Sequence, residues 1–222
     1  MPGARIEALP VKPRLRGVAH AYGAVAAVAA AVLLIALAPS STATFAAAVY
    51  GASLCGLLVT SALYHRIDWS TRLRRWMRRL DLSMIYVLIA GTYTPFALLV
   101  FSEPMRLIVL GLTWGGALVG VVLTLLWTDA PRALTAIVYV ALGWVAIGAL
   151  PQMIERVGLG AFALVLAGGV LYTAGALVYA LRRPDPWPRI FGFHEFFHGL
   201  VIAAATSHYV AIALYVVPRG GA

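Results

Sequence analysis

The sequence predicts an all-α integral membrane protein, a seven-transmembrane helix bundle with its N-terminus cytoplasmic and its C-terminus outside. Three observations carry this expectation. The first is composition: of 222 residues 62% are hydrophobic and 11% charged, with a mean hydropathy of +0.90, far too apolar for a soluble domain of this length. The second is spacing: seven apolar runs recur along the chain, most of them near the roughly 20 residues that cross about 30 Å of hydrocarbon. The third is charge asymmetry. Of the 17 Lys and Arg residues, fourteen fall on one side of this topology, leaving Arg106, Arg156 and Arg219 on the other. Such a bias marks the cytoplasmic side. The cations cluster between apolar runs rather than along one stripe, a pattern of membrane topology and not of nucleic-acid binding.

Each element follows in order. Residues 1–16, with Arg5, Lys12, Arg14, Arg16 and several prolines, read as a cytoplasmic arm. Span one covers 17–38. Its Ala36-Leu37-Ala38 end resembles a leader-cleavage site, but a leader core is about 7–15 residues and this run is longer. Span two covers 43–65 and closes on Ser61-Ala62-Leu63-Tyr64-His65. The connector 66–80 holds six arginines, with Trp69, Leu73, Trp76 and Leu80 at three- or four-residue intervals; it is either a short amphipathic helix in the headgroup layer or a plain basic loop. Span three, 81–101, opens on Asp81 and contains Pro95, which is expected to bend the helix and widen the bundle. Span four, 106–127, carries Gly111, Gly115, Gly116 and Gly120, two GxxxG spacings that predict close helix packing. Spans five, 133–150, and six, 159–181, lack strongly ionisable side chains internally and read as scaffold. Pro184, Pro186 and Pro188 stiffen the connector to span seven, 194–217, and 218–222 form a short external tail. Residues 17–217 thus make one transmembrane domain. Cys55, the single cysteine, leaves any metal to histidine and carboxylate.

That topology gathers chemistry at one depth. His65 ends span two going inward, Asp81 opens span three going outward, and His194 and His198, four residues apart on one helical face, open span seven going outward. All four reach the cytoplasmic boundary. Three imidazoles with an open fourth position describe a catalytic zinc site. Zn2+ there would polarise a carbonyl and activate water, so hydrolysis of an amide or ester is the implied reaction class. Asp81 could hold that water and take its proton, and Ser61, one turn before His65, could support it. Taken singly, each residue also reads as an interfacial cap. His194-Glu195-Phe196-Phe197-His198 matches HExxH, whose glutamate is a general base in zinc proteases; here Glu195 is expected instead to cap the helix or pair with an arginine of the preceding connector. His20 reads as interfacial and His208 as hydrogen-bonded within the bundle.

Together, Ser61-x-x-x-His65, Asp81, Ala90-Gly91-Thr92-Tyr93-Thr94-Pro95 and His194-x-x-x-His198 resemble the hemolysin III family, the bacterial branch of the progestin and adipoQ receptors. The resemblance covers all seven spans and implies zinc held by His65, His194 and His198, with Asp81 and Ser61 beside the water at its open position. It implies a bacterial plasma-membrane protein and a ceramide-like membrane lipid as substrate. The receptors commonly carry an amide at the position of Glu195 and a long N-terminal domain, which the short arm 1–16 is not expected to supply. Two other readings stand beside hydrolysis: a cytolytic pore, which the family name suggests, and a sensor or regulator of membrane state with structural zinc.

Overall fold

Apolar runs bounded by Pro, Gly and Ser fold into helices throughout a computed structural model that describes residues 13–127 and 129–221. The elements are α1 (Val18–Ala36), α2 (Ser41–Arg66), α3 (Thr71–Leu99), α4 (Met105–Leu126), α5 (Arg132–Gly143), α6 (Leu150–Leu181) and α7 (Phe193–Ala211). α7 continues through a π turn (Ile212–Val216) into a 3-10 turn (Val217–Gly221). Among the described residues there are no β-strands. Arg5 and Lys12 of the expected arm lie outside the described residues.

Six helices among the described residues are long and apolar enough to cross a membrane. One of the six is the stretch Arg132–Leu181, 50 residues long, which as a straight helix would rise about 75 Å. It is not straight. α5 ends at Gly143, a 3-10 turn fills Val145–Ala149, and α6 is interrupted at Gly158, whose φ of 84° suits glycine because it has no Cβ to clash.

The helices pack largely in chain order: α1 on α2, α2 on α3, α3 on α4, then α5 on α6 and α6 on α7, with α7 returning to α1. The core is built of alanine and medium aliphatics, with Ala43, Ala47, Ala90, Ala97 and Ala204 fully buried. Small residues let backbones approach closely where apolar burial alone does not drive helices together in lipid. At Gly91 the approach of α3 to α2 is so tight that a Cβ would lie 2.1 Å from the Ser53 hydroxyl.

The Ala90 to Pro95 motif is thereby explained residue by residue. Gly91 admits α2, the Tyr93 hydroxyl donates to the Gly143 carbonyl, and the Thr94 hydroxyl receives the Trp114 indole N–H at 3.1 Å. α3 runs on through Pro95 to Leu99. Thr92, Tyr93 and Phe96 around it border an internal cavity.

Two expectations are corrected. The basic connector 66–80 is neither a separate interfacial helix nor a loop, because from Thr71 onward it is the first part of α3. Its 29 residues rise about 44 Å, longer than the hydrocarbon is thick, so the arginine-rich turns extend the span that bears Asp81. Periodicity could not separate these two readings, since the same three- and four-residue intervals serve both. Of the two GxxxG pairs, Gly116 meets Leu142 and Gly120 meets Tyr86, whereas a Cβ at Gly111 or Gly115 would have nothing within 4 Å. The four glycines sit on different faces, and only one face is covered.

Candidate metal centre

Helix geometry brings the three expected ligands together. His65 lies in the last turn of α2, and His194 and His198 lie one turn apart at the start of α7. Their ligand nitrogens lie within 4.8 Å of one another. The Nε2 atoms of His65 and His194 are 3.1 Å apart, close to the roughly 3.4 Å between two nitrogens on one tetrahedral zinc. His65 and His198 are buried, with 7% and 3% exposure. Two imidazole nitrogens this close need a shared proton or a shared cation, and neutral imidazole is the metal-binding form. The donor set therefore fits a divalent ion of the zinc type.

Asp81 Oδ2 lies 3.8 Å from His65 Nε2. This carboxylate is not at a helix start as expected. It sits ten residues into α3, where charge can no longer be favoured by the helix N-terminus. Ser61, 3% exposed, lies within side-chain hydrogen-bonding reach of Asp81.

Sequence reasoning gave His20 no part in the cluster. It is 3% exposed, with Nδ1 2.8 Å from the Ser61 hydroxyl and its ring stacked on His198 at 3.8 Å and 4°. Its buried Nε2 has no hydrogen-bond partner among the described residues. The proton therefore belongs on Nδ1, where it is donated to Ser61, and the Ser61 hydroxyl is left to donate toward Asp81. Only the three-dimensional closure of α1 on α7 could reveal this. His208, as expected, bonds within the bundle, its Nε2 3.1 Å from the Val165 carbonyl.

Glu195 is committed elsewhere. One carboxylate oxygen accepts the Gly192 backbone N–H at 2.8 Å, which caps α7, and the other lies 2.5 Å from Arg16 Nε. The cap was expected; the arginine comes from the amino-terminal segment rather than from the preceding connector. That segment is fastened further by the Arg14 and Leu15 N–H groups, which donate to the carbonyls of Arg189 and Ile190. At Gly17, with φ 76°, a Cβ would stand 2.5 Å from His65 Cβ, so the chain crosses directly against a ligand. Replacing Arg16 by methionine leaves a carboxylate of 4% exposure without its cation, at a cost of about 3 kcal/mol. The melting temperature in detergent should fall by about 6 °C or more, whereas Glu195→Gln should keep its metal; an unchanged melting temperature for Arg16→Met would show the pair to be solvated.

One cavity, of about 580 Å³, joins the histidines, Ser61 and Asp81 to an apolar interior reaching Phe96, Trp144, Ile147 and Met153. Its wall includes Tyr139, Trp144, Tyr172 and Tyr179 from α5, α6 and the turn between them, elements whose sequences read as scaffold. Tyr172 and Tyr179, seven residues apart on one helical face, were the available signal.

The profile of the family described as Haemolysin-III related matches residues 10–209. The chain belongs to this family. Among its relatives, Hemolysin-3 of Bacillus cereus is 30% identical over 204 residues, covering 90% of each chain. The Monocyte to macrophage differentiation factor of Homo sapiens is 26% identical over 200 residues, 88% of this chain and 81% of that one. The Adiponectin receptor protein of Drosophila melanogaster is 31% identical over 220 residues, spanning 87% of this chain and 48% of the receptor. A haemolysin-III related chain with several apolar helices is an integral, multi-pass membrane protein.

Proposed function

We propose that this protein is a zinc-dependent hydrolase of a lipid amide or ester, ceramide-like in having one acyl group on a polar head, acting at the cytoplasmic leaflet of a bacterial plasma membrane. The observation that carries the reading is the continuity of a three-histidine cluster with an apolar cavity inside a membrane protein. Its volume falls in the usual range for small-molecule sites, and its lining suits an acyl chain.

His65, His194 and His198 would hold the ion. Bound there, zinc would supply Lewis acidity toward a carbonyl and lower the pKa of water. The Asp81 carboxylate then orients a water and takes its proton as the water oxygen bonds to the acyl carbon. It returns that proton to the leaving nitrogen or oxygen as the acyl bond breaks, giving a fatty acid and an amine or alcohol. Ser61, itself oriented by His20, fixes the carboxylate, and the walls of α3, α5 and α6 exclude bulk water from the acyl chain.

The topology proposed with this activity has seven crossings, the breaks between Gly143 and Gly158 dividing the long apolar segment into two. The N-terminus is then cytoplasmic and the C-terminus external, as the arginine distribution favours. Purified protein with zinc should release free fatty acid from an N-acyl or O-acyl lipid, and terminal tags should be protease-sensitive on opposite faces of sealed vesicles. No product across a broad lipid panel would refute the activity, and tags cleaved on the same face would refute the topology. The relative named Hemolysin-3 raises a pore as the rival, which liposomes would reveal by leakage.

A further inference from the structure

The cavity has a polar mouth whose charge the hydrolase reading does not use. Arg16, Arg74, Arg78 and Arg132 all line it, and among the described residues Asp81 is the only carboxylate in the same lining. Two of the four arginines have carboxylate partners: Arg16 pairs with Glu195, and Arg78 with Asp129 at 2.7 Å. Arg74 and Arg132 have none among the described residues.

Instead each lies over a tyrosine ring. Arg74 Cζ is 5.9 Å from the Tyr64 ring centre, and Arg132 Cζ is 5.5 Å from that of Tyr179. A ring contact does not use up the five N–H donors of a guanidinium, and those donors match a phosphate or carboxylate. Each supporting tyrosine in turn neighbours a ligand histidine: Tyr64 and His65 rings are 4.6 Å apart, Tyr179 and His194 rings 6.4 Å. The two unpaired cations are therefore one aromatic ring removed from the cluster, one from α3 and one from the start of α5.

The cavity lining thus combines guanidinium groups, histidines with Asp81, and apolar wall. An acyl lipid offers parts that match them: an anionic head, a carbonyl and a hydrocarbon tail. We infer that the lipid taken by this site carries an anion on its head, a phosphate ester in particular, and that Arg74 and Arg132 are the residues that recognise it. This rests on the reading of the cavity as a lipid site but not on turnover. A phosphate offers several oxygens to both guanidinium groups, which a neutral head does not.

Equilibrium binding separates this from the hydrolase reading. The probes are a short-chain N-acyl lipid bearing a head phosphate, the same lipid without it, and inorganic phosphate, each measured on chelator-treated protein in nonionic detergent, so that neither metal nor turnover contributes. The phosphorylated lipid should bind at least about tenfold tighter than its neutral match, the range of a charge-assisted hydrogen bond. In the Arg74→Gln, Arg132→Gln double variant that preference should shrink to within about twofold, with binding of the neutral lipid unchanged as the check on folding. Equal binding of the two lipids by the natural chain, or preference surviving in the double variant, would overturn the inference and leave the arginines as topology signals. Inorganic phosphate binding as tightly as the lipid would overturn it in favour of a free-anion site. Selective binding by the chelated protein, together with no fatty acid released from the same lipids by the zinc-loaded protein, would sustain it while refuting hydrolysis.

Discussion

Alanine in place of both His194 and His198 is expected to lower the zinc retained by the purified protein from about one ion per chain to background. The two residues supply two of three imidazoles, and His65 alone cannot hold an ion in competition with buffer. Loss of a group that merely supports a ligand costs about 10–100-fold in affinity, so loss of two ligands should exceed that by orders of magnitude. Two comparisons make the measurement specific. His208→Ala should keep its metal, because that ring bonds to the Val165 carbonyl and stands outside the cluster. His20→Phe should fall between, since the phenyl ring preserves the stack on His198 but not the bond to Ser61. Metal content by elemental analysis, on samples matched for helicity and monodispersity, decides the question. Stoichiometric metal in the double variant would eliminate the site, however well the rest of the fold agrees with it.

The parts of this site legible in the sequence were those fixed by one helix at a time or by topology alone. The four-residue spacing of His194 and His198 gave a common face, and the alternation of span direction put His65 and Asp81 at their depth. What stayed hidden depended on closure in three dimensions. His20 read as one more residue near a span end, because nothing in α1 records that it packs against α7 and delivers a ring onto His198. Glu195 could be assigned to a cap from its position three residues after Gly192, but its arginine partner lies 179 residues away in sequence, beyond any local rule. The connector before Asp81 failed for another reason. An amphipathic surface helix and the end of a long transmembrane helix share one periodicity, and only the absence of a break at residue 80 distinguishes them. Spans five and six were misread because a cavity wall in a membrane protein needs no charge; hydroxyl-bearing aromatics suffice to border it.

Substitution of Asp81 by asparagine is expected to abolish most hydrolysis while sparing the metal, and this split distinguishes a proton-transfer group from a ligand. Asp81 Oδ2 lies 3.8 Å from His65 Nε2, close enough to hold a water against the cluster and outside the three-histidine ligand group. An amide of the same shape still accepts a hydrogen bond from Ser61 but cannot take up a proton, so the loss falls on chemistry rather than on architecture. General-base catalysis is worth about 10²–10⁴-fold, and kcat should drop by that factor with KM changed little, because an acyl chain would be held by apolar side chains rather than by the residue 81 carboxylate. Ser61→Ala should lower kcat less, through a carboxylate that is less well oriented, and Glu195→Gln should leave it nearly unchanged, since both oxygens of Glu195 are engaged by Gly192 and Arg16. Fatty-acid release measured beside metal content for the three variants orders them. If Glu195→Gln proved the most damaging and Asp81→Asn the least, the HExxH assignment would be restored, and the amino-terminal segment that now binds Glu195 would have to withdraw before the site could act.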